Sequence, residues 1–76
     1  MKIQGIDVIA TPESSNVASF GYDAPTRRLL VMFKRGGGFY LDVPPEVFTR
    51  MKKASSKGAF VHRELKDKYA WDRLPE

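Results

Sequence analysis

The residues of this chain able to do chemistry are few. One histidine, His62, two neighbouring hydroxyls, Ser14 and Ser15, and scattered aspartates satisfy a hydrolytic triad only as a list of residue types. No glycine-flanked strand-to-helix turn surrounds either serine, so a catalytic site is not expected. The chain has no cysteine, which excludes a thiolate zinc site and a disulfide framework, and one histidine cannot supply a closed structural metal site. Neither a cofactor nor a metal is expected. Gly36-Gly37-Gly38 lacks the following Lys-Ser or Lys-Thr of a phosphate-cradling loop and reads instead as a hairpin turn. What remains is binding chemistry: cations for phosphate and flat rings for bases. Lys34, Arg35, His62, Arg63, Lys66 and Lys68 supply the first and Tyr40 the second, with Phe20 and Tyr22 as further candidate rings.

The distribution of charge sharpens that reading. The net charge is +4. Five basic and five acidic side chains cancel over residues 1–48, whereas residues 49–76 hold eight basic and four acidic ones, so all the excess lies in the C-terminal third. A concentrated positive field attracts polyanions, nucleic acid above all, and such attraction weakens steeply with salt. The same charge also suits a solvated helical surface that keeps a small domain soluble.

The elements that must position these groups follow from periodicity. Val17–Tyr22 alternates as a strand, with Ala18, Phe20 and Tyr22 on one face and Val17, Ser19 and Gly21 on the other. Asp23-Ala24-Pro25-Thr26 is suited to a turn. Arg28–Lys34 is apolar on both faces and therefore reads as a central strand. The three glycines then reverse the chain into a return strand, Phe39–Asp42, with Phe39 and Leu41 on one face and Tyr40 and Asp42 on the other. Prolines 44 and 45 fit the first turn of a helix, and Val47, Phe48, Met51 and Ala54 recur at helical spacing behind them. Ser55-Ser56 is a break and cap before a second helix over 57–69, with Val61, Leu65 and Tyr69 inward and His62, Arg63 and Lys66 outward. The predicted architecture is α+β: a three- to four-stranded antiparallel sheet followed by two C-terminal helices.

Upstream, Ile6 and Val8 alternate loosely, and that segment either adds an edge strand or lies across the open face of the sheet. Residues 11–16 read as a turn-rich link, and Trp71 and Leu74 as anchors that pin the tail to the core. Seventy-six residues form one domain, 1–76, with a stability of roughly 4 to 11 kcal/mol at ordinary per-residue values. No apolar run approaches the length needed to span a bilayer, and no signal segment is visible, so a cytoplasmic protein is expected.

Taken in order, the motifs resemble the KTSC domain, a short module named for its place at the C-terminus of some lysyl-tRNA synthetases and also found alone in bacterial and phage proteins. The resemblance runs over about residues 14–69. It is carried by Ser14-Ser15-Asn16-Val17, Gly21-Tyr22-Asp23, the alternation from Leu29 to Phe33, Tyr40, Val43-Pro44-Pro45-Glu46-Val47-Phe48, Ala54-Ser55-Ser56-Lys57-Gly58-Ala59-Phe60, Leu65 and Tyr69. One departure stands out: the family centre usually carries a pair of tyrosines two residues apart, and here Gly38 replaces the first, within the glycine-rich turn. The resemblance implies a small α+β fold and adds to an RNA-binding reading.

The expectation is therefore a non-catalytic binding module that contacts RNA or single-stranded nucleic acid through its basic C-terminal helical face and the adjoining hairpin. A protein-interaction module, docking through an apolar sheet face with Leu30, Met32 and Tyr40 if the N-terminal segment leaves that face uncovered, is the second reading. Salt separates the two, because apolar docking tolerates it.

Overall fold

A computed structural model describes residues 2–11 and 16–75. At its centre is a five-stranded antiparallel sheet formed by β3 (Ile9–Ala10), β4 (Val17–Asp23), β5 (Arg28–Phe33), β6 (Gly36–Tyr40) and β7 (Trp71–Arg73), neighbours in that order. β1 (Lys2–Ile3) and β2 (Ile6–Asp7) make a separate two-stranded hairpin. Between β6 and β7 come α1 (Pro45–Lys53) and α2 (Lys57–Phe60), the latter running directly into a π-helical turn, Val61–Leu65. The α+β class stands, but the three- to four-stranded sheet is corrected, among the described residues, to seven strands in two sheets, and the helices are followed by a strand. The reason is physical. β3 and β7 are only two and three residues long and carry no alternation long enough to read. They are strands because their backbone groups complete the edges of β4 and β6, which would otherwise stand unpaired.

A bulge alters the face assignment in β4. Val17 pairs with Phe33 and Ser19 with Met32, so Ala18 is the extra residue, and Val17 joins Phe20 and Tyr22 on the helical side while Ala18 is exposed. The turn between β5 and β6 also differs from expectation. Lys34-Arg35 makes it, and Gly36–Gly38 are the first residues of β6, with Gly36 at φ 131° where the chain re-enters the sheet. Leu29 then pairs with Tyr40 and Leu30 with Phe39.

This register decides what each face carries. On one side Leu29, Val31, Tyr40 and Phe20 pack with Val43, Val47, Met51, Phe60, Val61 and Leu65 into the main core. On the other, Leu30 and Phe39 pack with Ile6, flanked by Ile3, Val8, Met32, Leu41 and Leu74. The N-terminal segment thus does both things expected of it: β3 extends the sheet edge, and the β1–β2 hairpin lies across the second face. It comes close enough at Gly21 that an added Cβ would collide with the Asp7 carbonyl oxygen. Among the described residues Leu30, Met32 and Tyr40 do not form one open face, because Leu30 is fully buried and Tyr40 belongs to the opposite side.

α1 forms as read, with Pro45 in its first turn, Val47 and Met51 buried, and Arg50, Lys52 and Lys53 in its last turn, where they complement the helix dipole. Ser56 caps α2, its hydroxyl accepting the Ala59 N–H at 3.2 Å. The second helix, expected over 57–69, ends at Leu65. The Lys66 N–H donates to the Val61 carbonyl at 2.8 Å, closing the wide turn; Lys66 is extended at ψ 131°, and Asp67 takes a left-handed φ of 66°. Lys68 and Tyr69 then donate their N–H groups back to the Leu65 carbonyl. Residues 12–15 of the expected link over 11–16, with the hydroxyls of Ser14 and Ser15, lie outside the described residues. Among the described residues no helix is long and apolar enough to cross a membrane.

Candidate nucleic-acid interface

Where the chain leaves the π-helical turn, residues 66–69 stand opposite the β6–β7 edge and leave a groove of about 570 Å³ between them. Aromatic rings form its walls: Phe33 from β5, Tyr40 from β6, Tyr69 from the reversal, and Trp71 from β7. Trp71 bridges two of the others. Its ring centroid lies 4.6 Å from that of Tyr40 and 5.9 Å from that of Phe33, both in tilted contact. Tyr40 is 7% exposed and Trp71 40%, so Trp71 is the face available to an incoming planar group. Gly36 and Gly37 line the groove with backbone alone.

Charge surrounds the rings. Arg35 from the turn, Lys66 from the reversal and Arg73 from β7 line the same groove, as does one carboxylate, Asp67. The Tyr40 hydroxyl is held in its neutral form above the ordinary tyrosine range, first by burial and second by the negative charge of Asp67. The described residues show ion pairs for Arg27, Arg28, Arg50 and Arg63, and none for Arg35 or Lys66. Those two cations are therefore available to a ligand.

The seven residues singled out from sequence do not form one surface. Arg35, Tyr40 and Lys66 meet in the groove. Lys34 lines an adjoining hollow with Asn16, Phe33 and Arg35, and His62 another with Phe33, Tyr40 and Lys66, so both flank it. Arg63 lies apart, in a hollow with Arg50, Lys53, Phe60 and Glu64. It donates to Glu64 at 3.1 Å, and Arg50 reaches the same carboxylate at 2.5 Å, tying α1 to the π-helical turn. The Arg63 hydrogen bond is the main reason that the Glu64 carboxyl lies below its ordinary range, with the charges of Arg50 and Lys68 adding to it. Lys68 is exposed and lines none of these hollows. The further candidate rings are corrected as well. Phe20 is fully buried, and Tyr22 stacks on Phe48 at 5.4 Å while its hydroxyl donates to the Val43 carbonyl.

Trp71, Arg73, Asp67, Phe33 and Tyr69 are the lining residues that sequence reasoning missed. Trp71 and Arg73 stand two apart, the spacing that puts side chains on one face of a strand, and that was the available signal. Asp67 and Tyr69 had none, since their placement follows from a helix that stops four residues early.

The chain is a small α+β domain with helices packed on one face of an antiparallel sheet and an aromatic groove flanked by cations at the sheet edge. It belongs to the KTSC domain family, whose model matches residues 13–69. A KTSC domain protein from Yersinia pestis superposes with a TM-score of 0.86 at 30% identity, covering 92% of this chain and 99% of that one. A short protein of Tsukamurella paurometabola is 41% identical over 59 residues, which are 75% of this chain and 87% of that protein. A lysine–tRNA ligase of Nostoc punctiforme is 34% identical over 73 residues, 90% of this chain, and that of Trichormus variabilis is 33% identical over the same length. The chain spans only 13% of either ligase.

Proposed function

We propose that the domain binds RNA as a single strand, through the groove between the β6–β7 edge and residues 66–69. The observation that carries this reading is the combination, in one groove, of an exposed Trp71 ring with Arg35 and Lys66, cations without an ion-pair partner among the described residues. Stacking on such a ring is worth about 1 to 3 kcal/mol per base and suits an unpaired base, whose π-face is open. The cations supply the salt-sensitive phosphate term. Relatives that are lysine–tRNA ligases add support for RNA over DNA. The Arg63 and Lys68 region is secondary in this reading, because Arg63 already holds Glu64.

The test is an amide-resolved NMR titration with a mixed-sequence single-stranded RNA oligomer at low and at physiological salt, repeated with duplex DNA. The expected result is a set of shifts on Arg35, Tyr40, Lys66 and Trp71 that persists for RNA at the higher salt. Replacing Arg35 and Lys66 together by glutamine should flatten the salt dependence, by about 0.7 in the logarithmic slope for each phosphate no longer neutralised. Absent shifts, or diffuse ones that vanish with salt, overturn the reading and turn the search to protein partners.

A further inference from the structure

The one acidic group in the groove is at odds with phosphate binding, and it needs a reason to be there. Asp67 lines the same cavity as Trp71, Arg35 and Lys66, is exposed, and among the described residues forms neither an ion pair nor a side-chain hydrogen bond. A carboxylate left free beside a stacking ring repels phosphate but accepts hydrogen bonds from a base edge. We infer that Asp67 is a specificity determinant of the groove, selecting an unpaired guanine stacked on Trp71 over a uracil. This rests on the reading that the groove binds single-stranded RNA.

The chemistry of the four bases gives the order. Guanine offers two neighbouring donors, N1–H and N2–H, in the spacing of a carboxylate's two oxygens, so both oxygens accept at once, as they do from a forked guanidinium. Cytosine and adenine offer one amino group each. Uracil offers one N–H between two carbonyl oxygens, which face the carboxylate unfavourably. Charge-assisted hydrogen bonds are about twice as strong as neutral ones, and losing one commonly costs about tenfold. Size agrees with the choice. A groove of about 570 Å³ walled by four rings has room for a purine rather than only a pyrimidine. Arg35 and Lys66 leave the flanking phosphates their counter-charges.

Trp71 is the chain's only tryptophan, so its fluorescence reports this groove alone. The experiment is a titration of the full chain with hexauridylate, with the same oligomer carrying one central guanine, and with one carrying hypoxanthine there, which lacks the N2 donor. Expected is quenching with about tenfold tighter binding for guanine than for uracil, hypoxanthine falling between. Asp67→Asn should bring all three within about twofold of one another while quenching persists. Asparagine tolerates the left-handed backbone at this position, where φ is 66°, so the fold is kept, and an unchanged amide spectrum verifies it. Quenching without a guanine preference, or a preference that survives Asp67→Asn, overturns the role of Asp67 and leaves RNA binding standing. No quenching by any oligomer overturns both.

Discussion

Trp71 lies over Gly38 on the neighbouring strand: a Cβ built at Gly38 would sit 2.9 Å from Cζ2 of the indole. The same atom would meet the Arg73 Cα at 2.9 Å and the Asp72 carbonyl oxygen at 2.5 Å. The side-chain space at position 38 is thus occupied by β7 itself. The glycine standing where the family resemblance places the first of two tyrosines is not part of a turn. It lets a tryptophan from the adjacent strand β7 cover that ground and supply an aromatic wall of the groove.

Gly38→Ala is expected to detach β7. Two of the three collisions are with backbone, which cannot rotate aside, so strand and methyl compete for one space. Overpacking of this kind costs about 1 to 3 kcal/mol. The signs would be a red-shifted Trp71 emission and loss of hydrogen-exchange protection at the Leu74 amide, which donates to the Gly37 carbonyl at 2.9 Å. An unaltered emission would mean that Trp71 does not depend on the empty position.

Trp71→Ala should weaken RNA binding while the domain stays folded. The ring is 40% exposed and is missing from the main core, so its removal opens the groove rather than the interior. The loss of one stacked base, about 1 to 3 kcal/mol, corresponds to about a 5- to 150-fold rise in Kd, and Trp71→Phe should recover part of it. Equal affinity in all three proteins, measured by titration calorimetry, would place the ligand elsewhere.

Ile6→Ser probes the covered face. Ile6 is 6% exposed and packs on Leu30 and Phe39, so the substitution puts a hydroxyl among apolar groups and loosens the hairpin. A stability loss of about 2 to 5 kcal/mol is expected, the range for deleting a large aliphatic side chain, together with new binding of an apolar dye. RNA affinity in the fraction that remains folded should not change, since the groove lies on the other side of the sheet. A fall in affinity equal to that of Trp71→Ala would contradict the separation of the two faces.

How far the sequence was legible follows from where each instruction resides. β4, β5 and α1 carry their own periodicity, and Val31, Val47 and Met51 fall inward as that periodicity requires. Three glycines are the strongest local signal for a reversal, yet here they are strand residues. Their cause is tertiary: Gly38 gives way to β7, and a Cβ at Gly37 would press on the Met32 sulfur. β7 is all exposed and only three residues long, and nothing local marks it as a strand. Arg35, Tyr40 and Lys66 were legible as chemistry by type. That they share a groove, while Arg63 turns to Glu64, depends on the helix ending at Leu65, a tertiary decision the apolar spacing through Tyr69 does not disclose.

The coupling of Tyr40 to Asp67 gives a test of groove geometry that needs no ligand. Burial raises the Tyr40 pKa above its ordinary 10.0, and the nearby Asp67 charge raises it further. A folded-state value raised above the unfolded one means that this stabilisation is fully present below about pH 10 and is lost as the pH climbs through the folded value, because the unfolded chain ionises first. Tyr40→Phe should therefore make the alkaline limb of the stability curve shallower. Asp67→Asn removes the smaller of the two causes, so Tyr40 should ionise at a lower pH than in the parent protein but still above the ordinary range. Phenolate absorbance, with Tyr40→Phe to assign the component, follows both. If Asp67→Asn leaves that component where it was, the carboxylate does not face the ring, and its placement beside a base stacked on Trp71 falls with it.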